Sequence, residues 1–240
     1  MKRNQYNAQS AVMNLRLDWC SYDAAKYAVM NWHYSKTMPV GKLVKIGVWE
    51  NDKFIGVVIF GRGANKSLGS QFGLNQMQSC ELVRIALNKH KTSVSRIIKF
   101  SLVFLKRLSP NIKLIVSFAD KEQGHVGGIY QAGNWVYNGE TSAADEYLYK
   151  EKRWHGRAFR KSKGSHLKYI DKGLKIVKGS TKHRYLYPLD KEIREQIKLL
   201  AKPYPKKICD SGVKRSTASF QDVGGGAIPT ESLQLERQYA

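Results

Sequence analysis

Val44–Glu50 (VKIGVWE), the pair Asn51-Asp52 and Lys53–Gly61 (KFIGVVIFG) form the stretch on which the reading of this chain turns. Two runs rich in Val, Ile and aromatic residues flank two residues that tolerate left-handed backbone, the pattern of a β-hairpin closed by a tight turn. Upstream, Tyr22–Asn31 (YDAAKYAVMN) has helical composition, with Ser21 placed as its N-cap. Downstream, Glu81–Leu87 (ELVRIAL) alternates as a strand does. From Ser93 to Leu108 the residues Val94, Ile97, Ile98, Leu102, Leu105 and Leu108 recur at helical spacing, and Pro110 closes the element. Lys113–Phe118 (KLIVSF) is an apolar run of the buried-strand type that ends at Ala119-Asp120. A short helix over Gly127–Gly133 and a strand around Trp135–Tyr137 follow. The order helix, hairpin, strand, helix, strand, helix, strand predicts an α+β fold, a mixed β-sheet flanked by helices.

The charge is uneven. The 240 residues carry 41 Lys+Arg against 19 Asp+Glu, a net +22. Residues 150–207 alone hold 19 Lys/Arg and 5 Asp/Glu, a net +14, whereas 208–240 hold three basic and four acidic residues. The expected organisation is a folded core over 10–149, a basic nucleic-acid-binding extension over 150–207 and a flexible tail over 208–240, where Gly224–Gly226 and low apolar content argue against packing. So basic a chain with 11% aromatic residues points to a polyanionic partner, most often nucleic acid.

Several classes are excluded. The longest apolar run, near Ile55–Phe60, is far shorter than the roughly 20 residues of a membrane helix, so no membrane partner is expected. The opening MKRNQYNAQSAVMNLRLDW lacks a continuous apolar segment and a cleavage site, so no secretory signal is expected. Cys20, Cys80 and Cys209 stand far apart and odd in number. That fits the reducing cytoplasm of a host cell and neither a zinc finger nor a disulfide scaffold.

The element order resembles that of GNAT acyltransferases, and Gly128–Trp135 (GIYQAGNW) is similar to the helix that follows their fifth strand. NWHYSK (31–36), IGVWE (46–50), ELVRIAL (81–87), IVSFAD (115–120) and GHVGGIYQAGNW (124–135) together resemble the Mom family of phage DNA-modification proteins (phage Mu type). The likeness spans about residues 28–205 and includes KHRYLYPLD (182–190) and KPYPKK (202–207). The resemblance implies modification of the exocyclic N6 of adenine in DNA by a carbamoylmethyl group, which blocks host restriction enzymes. It also implies that Tyr130 protonates the leaving group. One departure matters: acetyltransferases usually bind pyrophosphate with a glycine-rich loop, but the matching stretch here, LNKHKTSVSR (87–96), has no glycine. Lys89, Lys91, Thr92 and Ser93 at a helix start could still hold a phosphate, though not in the usual coenzyme A manner.

The remaining candidates each admit a structural reading beside the functional one. His33 and Tyr34 are a titratable pair at a site mouth, or an aromatic cap beside Trp32. Arg84, a charge inside an apolar strand, is a clamp for phosphate or carboxylate, or a structural partner of Glu81. Ser117 and Asp120 fall at the carboxyl end of a strand, where sheets present ligand sites; Asp120 is a base for the adenine amine, or the cap of the following turn. His33, Asp120 and His125 have the residue types of an Fe(II) site but no signature spacing, so no metal is assigned. Arg153, Trp154, Arg157, Arg160, His183, Arg184 and Tyr185 mix cations with planar rings, as phosphate contacts and base stacking require. A carbamoylmethyl product carries a nitrogen that acetyl transfer does not deliver. The expected donor is therefore glycyl-tRNA, a second nucleic acid beside double-stranded DNA, with acetyl-CoA or iron chemistry as the rival and passive DNA binding as a non-enzymatic alternative.

Overall fold

The computed structural model describes residues 14–63 and 67–206. The described residues divide into two compact units, one over 14–112 and one over 113–206.

In the first unit, β1 (Leu15–Trp19), β2 (Leu43–Glu50), β3 (Lys53–Gly61) and β4 (Ser79–Leu87) pair in order as an antiparallel meander. Asn51 and Asp52 adopt φ of 48° and 62° between β2 and β3, the two left-handed residues that let a two-residue hairpin follow the strand twist. Helix α1 (Tyr22–Trp32) starts where expected: the Ser21 side chain accepts from the Ala24 N–H at 3.1 Å. Its small residues Ala24, Ala25, Ala28 and Val29 are buried against Trp49, Val57, Ile59 and Ala86. Helix α2 (Val94–Leu108) buries Ile97, Ile98, Leu102 and Leu105, the stripe that its spacing foretold. The strand β1 was not foreseen, because its alternation of Leu and charged residues is too short to stand out.

In the second unit, β5 (Leu114–Asp120), the one-turn helix α3 (Gly128–Gln131) and β6 (Val136–Glu140) occur as predicted. A separate sheet follows, in the order β8 (Lys152–His155), β7 (Asp145–Tyr149), β9 (Lys175–Lys178), with α4 (Gly156–Lys163) between β8 and β9. Then β10 (Lys182–Pro188) enters between β5 and β6, antiparallel to both, and α5 (Lys191–Lys198) packs on it. The 149/150 boundary of the expected organisation falls within this unit. KHRYLYP is flanked by β5 and β6 in the sheet that holds Ser117, and its Tyr185 and Leu186 are buried on opposite faces. Residues 10–13, 207 and the segment 208–240 lie outside the described residues. Among those described, no helix is long and apolar enough to cross a membrane.

Asp190 caps α5, accepting from the Glu192 and Ile193 N–H groups at 3.0 and 3.3 Å. Asp190→Ala should cost about 1 kcal/mol of stability, read as a shift in the denaturant midpoint with an unchanged slope.

Candidate active site

Strand alternation sorts the second unit's candidates onto two faces. In register, Ser117 lies opposite Tyr185, and Ala119 opposite His183. Tyr185 in turn lies opposite Tyr137 on β6. On this face the buried Ser117 hydroxyl donates to the Tyr130 hydroxyl at 2.7 Å. This hydrogen bond fixes the position of the Tyr130 hydroxyl oxygen. The Tyr130 ring sits 5.1 Å from both Trp135 and Tyr185. Gln131 donates to the Val126 carbonyl and the Tyr185 hydroxyl, and Tyr185 donates to the same carbonyl at 2.6 Å. Gly127 makes this packing possible: at φ +76° it takes a left-handed turn, and a Cβ there would fall 2.3 Å from the Tyr185 ring.

Farther along the same face, His183 Nδ1 meets the Tyr137 hydroxyl at 3.1 Å. Burial holds the His183 pKa below its ordinary value, against the opposing pull of Glu140, so the imidazole is neutral near pH 7. The approach of Glu140 at 3.7 Å is therefore not an ion pair under those conditions. Glu140 itself accepts from Lys121 at 2.8 Å and from Thr181 at 2.6 Å, hydrogen bonds that hold its pKa low.

Asp120 lies on the opposite face of β5 from Ser117, three residues on. Its carboxylate accepts from the Glu122 N–H at 3.1 Å, the turn-capping role, and stands 3.6 Å from Lys182. The structure therefore does not bring Asp120 and Tyr130 together on one face. Arg184 shares the Asp120 face and donates to Asn138, while its Nε is buried without a partner among the described residues. His183, Arg184 and Tyr185, expected at the nucleic-acid surface, sit in the sheet instead. Tyr185 is fully buried and His183 is 6% exposed, because the central strand has neighbours on both sides.

In the first unit, the segment expected to bind phosphate is already occupied. Glu50, at the end of β2, accepts from the Lys91 N–H at 2.9 Å and the Thr92 N–H at 2.6 Å. Burial works to raise the Glu50 pKa, but the hydrogen bonds from Thr92 and Lys91 outweigh it and hold the carboxyl below its usual range. Lys89 takes left-handed backbone at φ 48°, and Ser93 stands at the α2 N-cap position without a side-chain cap bond. Thus an internal carboxylate fills the pair of amides that a pyrophosphate loop would present, and these residues do not fit coenzyme A held in that way.

His33 ends α1. Its Nδ1 accepts from the Ser35 N–H at 3.1 Å, so a neutral ring carries its proton on Nε2. The ring lies 4.4 Å from that of Tyr34, which is half exposed, while Trp32 packs on Tyr27 and Phe54 instead. Arg84 donates to the Val83 carbonyl at 2.7 Å, and its buried Nε has no partner among the described residues. Burial pushes the Cys20 thiol up to about 11 and Cys80 to about 12, so neither supplies a thiolate nucleophile.

In the three-stranded sheet, Arg153 pairs with Glu146 and, at 3.5 Å, with Glu122. Trp154 carries Lys152 over its ring at 4.4 Å, and Arg160 is exposed on α4. Arg157 belongs to α4, but its side chain lies outside the described residues. Among the described residues no three His, Cys, Asp or Glu side chains are grouped to hold a metal ion. Sequence reasoning missed Glu50, Tyr137, Glu140 and Gln131. An acid closing an otherwise apolar strand was the one visible signal for Glu50.

The Mom protein family model matches residues 14–206. The methylcarbamoylase mom of Escherichia phage Mu is 27% identical over 203 residues, covering 80% of this chain and 84% of that protein. Among solved structures, spermidine N-acetyltransferase from Vibrio cholerae is similar with a TM-score of 0.45 at 12% identity, over 75% of this chain and 97% of that one. An N-acetyltransferase from Staphylococcus aureus Mu50 is similar with a TM-score of 0.43 at 12% identity, over 73% of this chain and 98% of that one.

Proposed function

Because the chain belongs to the Mom protein family, we propose that it is a DNA-modifying transferase that places a carbamoylmethyl group on the N6 of adenine and so shields phage DNA from restriction. The observation that carries a catalytic reading is the buried Ser117–Tyr130 hydroxyl pair at 2.7 Å, which positions a phenolic acid on the face of β5. The relative's name, methylcarbamoylase, supports the same class of product.

The donor is glycyl-tRNA. The adenine, extruded from the duplex so that its N6 can be reached, attacks the glycyl ester carbonyl. The N6–C bond forms, the bond from that carbon to the tRNA ribose oxygen breaks, and Tyr130 gives its proton to the departing oxygen. The proton of the attacking amine passes to solvent, since Asp120 lies on the face of β5 opposite to Tyr130 and accepts from the Glu122 N–H of the following turn. The free glycyl amine of N6-glycyl-adenine then adds to C6 through a small spiro ring. The amide nitrogen leaves C6, giving N6–CH2–CO–NH2, an isomer with no atom gained or lost. In the first unit, His33 and Tyr34 act as a titratable pair, and the half-buried Arg84 guanidinium receives a phosphate or carboxylate. Arg153, Trp154, Arg157 and Arg160 bind nucleic acid.

Glu50 on the Lys91 and Thr92 amides favours this donor over acetyl-CoA. Purified protein, DNA and glycyl-tRNA should suffice to change the mass of deoxyadenosine in digested DNA, and ribonuclease should abolish the change. Modification with acetyl-CoA alone would overturn the donor. Tight DNA binding with unaltered adenine under every condition would leave the passive-binding reading.

A further inference from the structure

The three-stranded sheet has an aromatic core with an open end. Tyr147, Tyr149, Lys152 and Trp154 share one face, since Tyr147 registers with Trp154 and Tyr149 with Lys152. Phe159 of α4 is fully buried on this face and meets Tyr147, Tyr149, Trp154 and Tyr169 edge-on at 5.2 to 6.0 Å. Tyr149, Trp154 and Tyr169 close only part of it. With Lys150, Lys152 and Lys163 they line a cavity of about 220 Å³.

Two features of this cavity select its ligand. Its apolar walls are aromatic, so it presents π surfaces and ring edges. Its charged lining residues are all lysines, with Lys152 over Trp154 at 4.4 Å and Lys150 over Tyr149 at 5.8 Å, and no carboxylate among the described residues lines it. A planar ring next to an anion satisfies both, and that is a nucleotide. The cavity is smaller than the roughly 300 Å³ at which pockets begin to take drug-sized ligands, which suits one base and excludes a whole coenzyme.

We propose that the Tyr149–Trp154–Tyr169 cavity and its lysines form a second nucleotide seat, sharing no lining residue with the Ser117–Tyr130 pair, that takes one unpaired deoxynucleotide of the opened DNA. The seat rests on the reading of DNA as substrate. Extruding an adenine leaves unpaired bases beside it, and a stacking seat for one of them holds the duplex open while the chemistry proceeds elsewhere. The cavity offers no carboxylate, imidazole or paired hydroxyl of its own, so it binds without reacting.

The test uses the full chain and a short single-stranded oligodeoxynucleotide carrying 2-aminopurine, whose fluorescence is quenched on stacking, beside RNA and duplex DNA of the same sequence. Lys152→Gln with Lys163→Gln changes exposed side chains, and Tyr149→Leu with Tyr169→Leu keeps apolar bulk but removes the rings. Each pair should weaken single-strand affinity and quenching by roughly tenfold, the loss expected for one stacked base or its phosphate contacts. Duplex affinity should change far less. Unchanged single-strand affinity in both pairs overturns the seat, as does loss only in the tyrosine pair accompanied by loss of folded structure. A loss confined to the RNA probe would assign the cavity to RNA and overturn it as well. Failure of the DNA reading itself is distinguishable, because the unmutated chain would then neither modify nor hold duplex DNA.

Discussion

Tyr130→Phe should lower DNA modification at least about a hundredfold while leaving the fold and DNA affinity nearly unchanged, the low end of the range for removing a positioned general acid. The ring stays, so its contacts with Trp135 and Tyr185 at 5.1 Å stay with it. Only the hydroxyl that accepts from Ser117 is lost, a structural cost of about 1 kcal/mol. Ser117 acts through Tyr130, so Ser117→Ala should cause a smaller loss, and the double variant should be no worse than Tyr130→Phe alone. Rates of modified-nucleoside formation and DNA binding measured on the same preparations decide the matter. If affinity and rate fell together, Tyr130 would be a core aromatic with no proton to give.

Local rules carried much of this protein in its sequence. The hairpin was legible because Asn51 and Asp52 suit the left-handed turn between two runs that are unmistakably β. Ser21 was legible as a cap, and the stripe of α2 was legible as buried, because each depends on neighbours a few residues away. Ser117 and Tyr130 were both singled out, but their hydrogen bond was not. It joins residues on separate elements, and only the folded chain sets its distance.

The misplaced residues failed for one physical reason. In KHRYLYP, a basic run followed by Tyr185, Leu186 and Tyr187 reads equally well as a nucleic-acid surface or as a buried strand. Long-range pairing with β5 and β6 decides between them. Through that pairing His183 and Tyr185 are buried in the sheet. Asp120 shows the limit of reading position without face. Its place at a strand end was right, but an odd separation from Ser117 sets it on the other side of β5.

Glu50→Ala should destabilise the protein by about 2–3 kcal/mol, more than any surface substitution, because two backbone donors lose their acceptor at once. The Thr92 N–H is the costlier of the two, since Thr92 is buried. Glu50→Gln should rescue little. A carboxylate offers two acceptor oxygens to Lys91 and Thr92, whereas an amide offers one and turns an NH2 toward the other donor. The same geometry gives a pH signature. Because the folded pKa of Glu50 lies below the unfolded value of 4.5, its contribution is fully present above that value and is lost as pH falls through the folded pKa. Denaturant unfolding followed from neutral to acid pH should therefore show a gap between wild type and Glu50→Ala that narrows only on the acid side. The variant also bears on donor choice. With the carboxylate gone, the Lys91 and Thr92 amides become an anion seat, and millimolar formate or inorganic phosphate should restore part of the lost stability in Glu50→Ala while leaving the wild type unmoved. A gap that stayed constant across that range, with no rescue by either anion, would mean that Glu50 is not what occupies the loop.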